Sequence, residues 1–137
     1  MLYSVNADAP EHGDARRWLK EAMESGEIVG LPWVALCGFL RVSTNPRVFR
    51  SPLAVERAVA IVDAWLAVSG VVPIDAGPDH WRILARLLRE LGTGGNLSTD
   101  AHIAAMAIER GATLFSCDSD FVRFPGLRWI NPLMRAP

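Results

Sequence analysis

Apolar positions along the chain alternate between helical spacing and short unbroken runs. Over 10–25, Ala15, Trp18, Leu19 and Ala22 recur at intervals of three and four, and Gly26 follows as a stop, which predicts a helix. "EIVGL" (27–31) predicts a short strand. "WVALCGFLRVS" (33–43) predicts a mostly buried helix, ended at "TNPR" because the residue before a proline avoids the helical region. From Pro52 to Ser69 the pattern is amphipathic: Val55, Ala58, Val59, Val62, Trp65 and Leu66 share one face, with proline in the first turn. "GVVPI" (70–74) predicts a strand. A helix over Pro78–Leu91 then buries Trp81, Leu84, Ala85, Leu88 and Leu91 and turns Arg82, Arg86 and Arg89 outward. "GTGGN" (92–96) predicts a flexible loop. It leads into "NLSTDAHIAAMAIERG" (96–111), a helix with Ser98 or Thr99 as its N-cap and Gly111 as a left-handed stop. "ATLFSC" (112–117) and "LRWI" (127–130) predict two more strands.

Helices alternating with short apolar strands imply an α/β fold with a parallel central sheet and helices on both faces. A chain of 137 residues that is 50% apolar suits one domain, 1–137, burying roughly two-thirds of its unfolded surface. Only "MLYSV" precedes the first helix, where such a fold normally opens with a full strand. That strand is read as cut short.

Composition narrows the partners. The net charge of −1 leaves nucleic-acid contact to a local patch, while thirteen arginines against a single lysine, Lys20, favour planar forks suited to phosphate. Base composition of the coding DNA produces the same bias. Cys37 and Cys117 lie in apolar stretches with no second ligand at metal spacing, so both are expected to be reduced core residues, which suits a cytoplasm. The longest uncharged run, 28–40, contains Pro32 and is shorter than the roughly 20 residues of a membrane span, and no secretory signal pattern opens the chain.

Acids carry the candidate chemistry. In an open parallel sheet, ligands bind beyond the carboxyl ends of the strands. Asp118 ends the strand at 112–117, Asp120 follows it, and Asp100 begins the helix that leads into the same strand. Carboxylates gathered in one cleft repel, and a hard cation such as Mg²⁺ offsets that repulsion through oxygen ligands. Taken singly, each acid has a plainer reading: the helix dipole favours Asp100 in a first turn, and acids are ordinary in a turn after a strand. His12, His80 and His102 have no partner at three or four residues and are expected in surface or helix-end roles. "GTGGN" lacks a lysine and follows a helix, so it is not a phosphate loop. The outward arginines of 78–91, and Arg41, Arg47 and Arg50 around the proline break, are read as solvated faces before nucleic-acid tracks.

"NLSTDAHIAAMAIERGATLFSCDSDFVRFPGLRWINP" resembles the C-terminal half of PIN-domain ribonucleases, the VapC toxins of type II toxin-antitoxin systems. "LYSVNADAPEHGDARRWL" and "LPWVALCGFLRVSTNPRVF" resemble the family's first two strand-helix units, so the likeness covers nearly the whole chain. It implies a PIN-like three-layer fold and a Mg²⁺-dependent endoribonuclease, with Mn²⁺ as a substitute ion, whose acids activate water for in-line attack on a phosphodiester. Asp100 matches the family's central metal-binding acid and Asp118 the acid after the next strand; Asp120, in the same loop, assists or substitutes for it. The resemblance also implies an RNA substrate, a homodimer, and a cognate VapB-type antitoxin that inserts into the acidic groove, often with an arginine among the carboxylates. Two family acids are missing. The first would precede "LYSVN", and the second, a Glu on the helix ending in "FLRVS", is replaced by Leu36 or Gly38. A true start lying upstream accounts for the first.

Two other functions compete with the nuclease. A pseudo-nuclease that keeps the antitoxin surface without cleaving RNA is favoured by the missing acids. A phosphoacceptor receiver-like domain needs a lysine at a strand end, and Lys20 lies within the first helix.

Overall fold

A computed structural model of the chain describes residues 1–134. They fall into two compact units, Met1–Ile74 and Asp75 onward. The first unit contains α1 (Leu2–Val5), α2 (His12–Glu24), β1 (Val29–Pro32), α3 (Trp33–Ser43), α4 (Val55–Leu66) and β2 (Val71–Ile74). The second contains α5 (His80–Leu91), α6 (Ser98–Glu109), β3 (Thr113–Phe115) and β4 (Arg128–Ile130), with 3₁₀ turns at Gly95–Leu97 and Ser119–Arg123. Each unit holds a parallel pair of strands: β1 beside β2, from Val29↔Val71 to Pro32↔Ile74, and β3 beside β4, from Thr113↔Arg128 to Phe115↔Ile130. Parallel neighbours need a crossover, which α3 and α4 supply in the first unit and residues 116–127 in the second. The α/β class and parallel pairing match the expectation from the alternating pattern.

In the first unit Leu36 and Phe39 of α3 pack with Leu19 and Met23 of α2, Ala58 and Val62 of α4, and Leu31 and Val71 of the strands. Phe39 meets Trp65 with ring centroids 4.8 Å apart and tilted by 60°, an arrangement that adds about 0.5–1.5 kcal/mol beyond burial. The core of the second unit is α6, which buries Ala101, Ala104, Ala105, Met106 and Ala107 on nearly every side. Ile83 and Leu87 of α5, with Phe121 of the second 3₁₀ turn and Phe124 just after it, close over it.

Several expectations give way. "MLYSV" is a helical turn instead of the end of a strand: the Ser4 hydroxyl donates to Met1 O at 2.6 Å, and Leu2 and Val5 pack on the core. α4 starts at Val55, so Pro52 lies outside its first turn, and Val55 and Val59 are exposed while Ala58 and Val62 are buried. Trp81, expected in the core, is 71% exposed, and Ile83 and Leu87 take the buried positions. Cys37 is exposed and Cys117 half-buried, so neither is a core residue. "GTGGN" is partly wound into the 3₁₀ turn. Ser98 already lies inside α6, whose N-cap is Leu97 with no side-chain cap. Gly111 does adopt the expected left-handed conformation, with φ +59°. Among the described residues no helix is long and apolar enough to cross a membrane.

Candidate metal centre

Three acids meet in the second unit. Asp100 stands in the first turn of α6, Asp118 is the N-cap of the 3₁₀ turn that follows β3, and Asp120 lies within that turn. One carboxylate oxygen from each lies within 4.8 Å of the others. Asp100 is half-buried, and Asp118 and Asp120 are exposed. A helix N-terminus favours negative charge, yet burial, and then the carboxylates of Asp118 and Asp120, hold the Asp100 carboxyl above the ordinary aspartate range. An all-oxygen donor set under this mutual repulsion fits a hard divalent cation, whose charge removes the cost of ionising all three. Asp100, Asp118 and Asp120 would hold it.

The acidic loop is fixed from beneath by Ser116. Its N–H donates to Ile130 O at 3.1 Å, continuing the β3–β4 ladder, and its carbonyl accepts the Trp129 indole N–H at 2.9 Å. Its hydroxyl oxygen accepts Asp118 N–H at 3.1 Å, and Asp118 Oδ1 in turn accepts Asp120 N–H at 2.9 Å. Each of these short-range bonds competes with regular backbone pairing and shapes a turn. Asp118 thus uses Oδ1 to hold the loop. Ser116→Ala is expected to lower the unfolding free energy by about 1 kcal/mol, read from the urea midpoint; an unchanged midpoint would mean that the loop is held by other contacts. The signal for this in the sequence is "SCDSD", where Ser116, Asp118 and Asp120 follow one another at intervals of two.

The loop before α5 is fastened to the end of α6. Glu109, with only 11% of its side chain exposed, accepts Gly77 N–H at 3.0 Å and Asp79 N–H at 2.8 Å. Arg110 pairs with Glu109 at 3.7 Å and donates to Asp75 O at 2.6 Å. At the first residue of α5, His80 is buried and its Nε2 lies 2.7 Å from Nδ1 of His102, with the rings edge to face. Burial, and then His102, push the His80 pKa below the usual histidine value. His80 is therefore a buried structural residue and not a surface one, joined to a partner 22 positions away that local spacing does not reveal. His12 keeps a helix-end role, with Nδ1 at 2.9 Å from Tyr3 O.

For the second absent family acid, neither candidate position offers a replacement: Leu36 is buried in the core of the first unit and Gly38 carries no side chain. α3 contains no acid at all. Arg82 and Arg86 of α5 are exposed and paired locally, with Asp79 at 3.2 Å and Glu90 at 3.2 Å.

A family model described as "PIN domain" matches residues 1–127, across both units. Ribonuclease VapC37 of Mycobacterium tuberculosis (strain ATCC 25618 / H37Rv) is 43% identical over 132 residues, covering 96% of this chain and 92% of the relative. Ribonuclease VapC33 of the same strain is 41% identical over 133 residues, covering 97% and 93%. Among solved structures, the crystal structure of VapBC2 from Rickettsia felis bound to a DNA fragment from their promoter is similar with a TM-score of 0.65. At 20% identity, covering 94% of this chain and 90% of the other, it shows the likeness of fold. The chain belongs to the PIN-domain family, within its VapC ribonucleases.

Proposed function

We propose that this protein is a metal-dependent endoribonuclease, the toxin of a type II toxin-antitoxin pair, in which Asp100 and Asp118 hold Mg²⁺ and Asp120 assists them. The observation that carries the assignment to these residues is the convergence of their three carboxylates within 4.8 Å, in a chain over 40% identical to named ribonucleases. When bound, the ion supplies Lewis-acid polarisation of a phosphodiester oxygen and offsets the charge that builds there. Asp100 would hold the ion from the first turn of α6. Asp118 orients the loop through Oδ1 and would hold the ion with Asp100, and Asp120 would assist them as a proton acceptor or a further ligand. The reading in which the chain only binds an antitoxin is not favoured, because the relatives that match along its whole length carry the ribonuclease name.

The same reading makes an RNA the substrate, a VapB-type protein the antitoxin, the assembly a homodimer, and the cytoplasm the compartment. A VapBC complex as structural neighbour supports the antitoxin partner. The absence of a membrane-crossing helix among the described residues fits that compartment. Mn²⁺ titration by calorimetry tests the site itself. Wild-type protein is expected to bind the ion, and Asp118→Asn to weaken binding at least about 10-fold. Equal affinity in the two proteins would take Asp118 out of the metal site.

A further inference from the structure

The first unit carries a concentration of unpaired arginines that the acidic site does not use. Between residues 41 and 57 there are four arginines, Arg41, Arg47, Arg50 and Arg57, against one acid, Glu56, in a chain whose net charge is −1. All four are exposed. None of them takes part in the salt bridges found among the described residues, which engage Arg17, Arg82, Arg86 and Arg110 instead. The segment that carries them is ordered by its own backbone. Arg41 lies in the last turn of α3 and Arg57 in the first turns of α4. In the connection, Asn45 Oδ1 accepts Arg47 N–H at 2.9 Å, Phe49 N–H reaches Asn45 O at 3.1 Å, and Leu53 N–H reaches Ser43 O at 2.8 Å.

Resting on the ribonuclease reading above, we infer that the exposed face of residues 41–57 is the surface that holds the phosphate backbone of the RNA substrate. A nuclease must retain a polyanion, yet the acids that carry its chemistry repel one and the chain as a whole is slightly acidic. The excess positive charge therefore has to be local. Arginine without an internal partner keeps its planar fork for phosphate oxygens. The arginines of α5 are a poorer candidate, since two of the three are already committed to Asp79 and Glu90.

Phosphate contacts have a signature that folding defects lack. Each one lost reduces the slope of log K against log salt by about 0.7 on a single strand. The probe is a fluorescein-labelled 20-nucleotide single-stranded RNA of mixed sequence, titrated with full-length Asp100→Asn protein from 50 to 300 mM KCl. Adding Arg47→Gln and Arg50→Gln is expected to lower the slope by about 1.4 and to weaken binding several-fold at 100 mM salt. Adding Arg82→Gln and Arg89→Gln instead leaves the slope unchanged. Equal thermal midpoints for both multiple variants keep the comparison free of unfolding. An unchanged slope for the Arg47 and Arg50 variant overturns the inference and assigns that face to another partner, such as an acidic peptide; wild-type protein that still cleaves RNA in that case leaves the ribonuclease reading intact. If wild-type protein neither binds nor cleaves RNA, both readings fall together.

Discussion

Asp100→Asn is expected to lower metal-dependent RNA cleavage at least about 100-fold, since a bound ion lowers the barrier by several kcal/mol and each 1.36 kcal/mol is tenfold in rate. The same substitution is expected to stabilise the metal-free protein at pH 7. The folded chain holds the Asp100 carboxyl above its ordinary value of 3.8 through burial and the neighbouring Asp118 and Asp120. Ionised Asp100 therefore costs stability; the cost grows as pH rises through the window between the unfolded and folded values and is complete above it. Asparagine removes the charge and with it the cost. A rise in Tm of roughly 3 °C for each kcal/mol relieved follows, shrinking as the pH is brought down toward 3.8. Saturating Mg²⁺ reverses the order, because only the wild type gains fully from binding the ion. A variant that is less stable than wild type at pH 7 without metal would mean that Asp100 is a structural residue.

The second large effect is expected at Glu109. Glu109→Ala leaves Gly77 N–H and Asp79 N–H without their acceptor and releases Arg110 from its ion pair. Water reaches the exposed Asp79 amide more easily than the part-buried Gly77 amide, so the expected loss is about 2 kcal/mol and not the full cost of two orphaned donors. Glu109→Gln keeps one acceptor oxygen and loses less. The close fit has a second consequence at Gly77, where any Cβ would collide with the Glu109 carboxylate. Gly77→Ala therefore costs stability in the wild type, but little in the Glu109→Ala background, and chemical denaturation of the four proteins reads that coupling directly. Additive losses would show that Glu109 and Gly77 act separately.

The candidate site residues were more legible than the contacts that hold them. Asp100, Asp118 and Asp120 stand out because an acid at the start of an apolar helix and acids just past a strand are local features of the sequence. The support beneath them is not local, since Trp129 reaches Ser116 across 13 positions; nor is the tie of the loop before α5, where Glu109 reaches Gly77 across 32. α3 was read with its observed ends because Pro32 precedes it and Pro46 follows it within a few residues. α5 was read correctly at Ala85, which is buried, and at Leu84, Leu88 and Leu91, which pack on the core, but not at Trp81, which is exposed. Trp81, Leu84, Ala85 and Leu88 form one helical stripe, and His80, Ile83, Leu84 and Leu87 form another turned by a single position. Hydrophobicity alone prefers the stripe with the tryptophan. The structure buries His80, Ile83 and Leu87 of the second together with Ala85 of the first, and His102 gives the His80 ring a polar partner inside. "LYSV" failed for a different reason: four residues are too few for either period to show, and packing of Leu2 and Val5 on the core decides the turn.

The most direct measurement of the central claim is cleavage of a defined RNA by the purified chain at pH 7 with Mg²⁺, and again with EDTA in excess. Endonucleolytic products that appear with Mg²⁺, vanish with EDTA and return when Mn²⁺ is added are the predicted result. Cleavage that persists undiminished in EDTA would contradict a mechanism built on the three carboxylates of Asp100, Asp118 and Asp120.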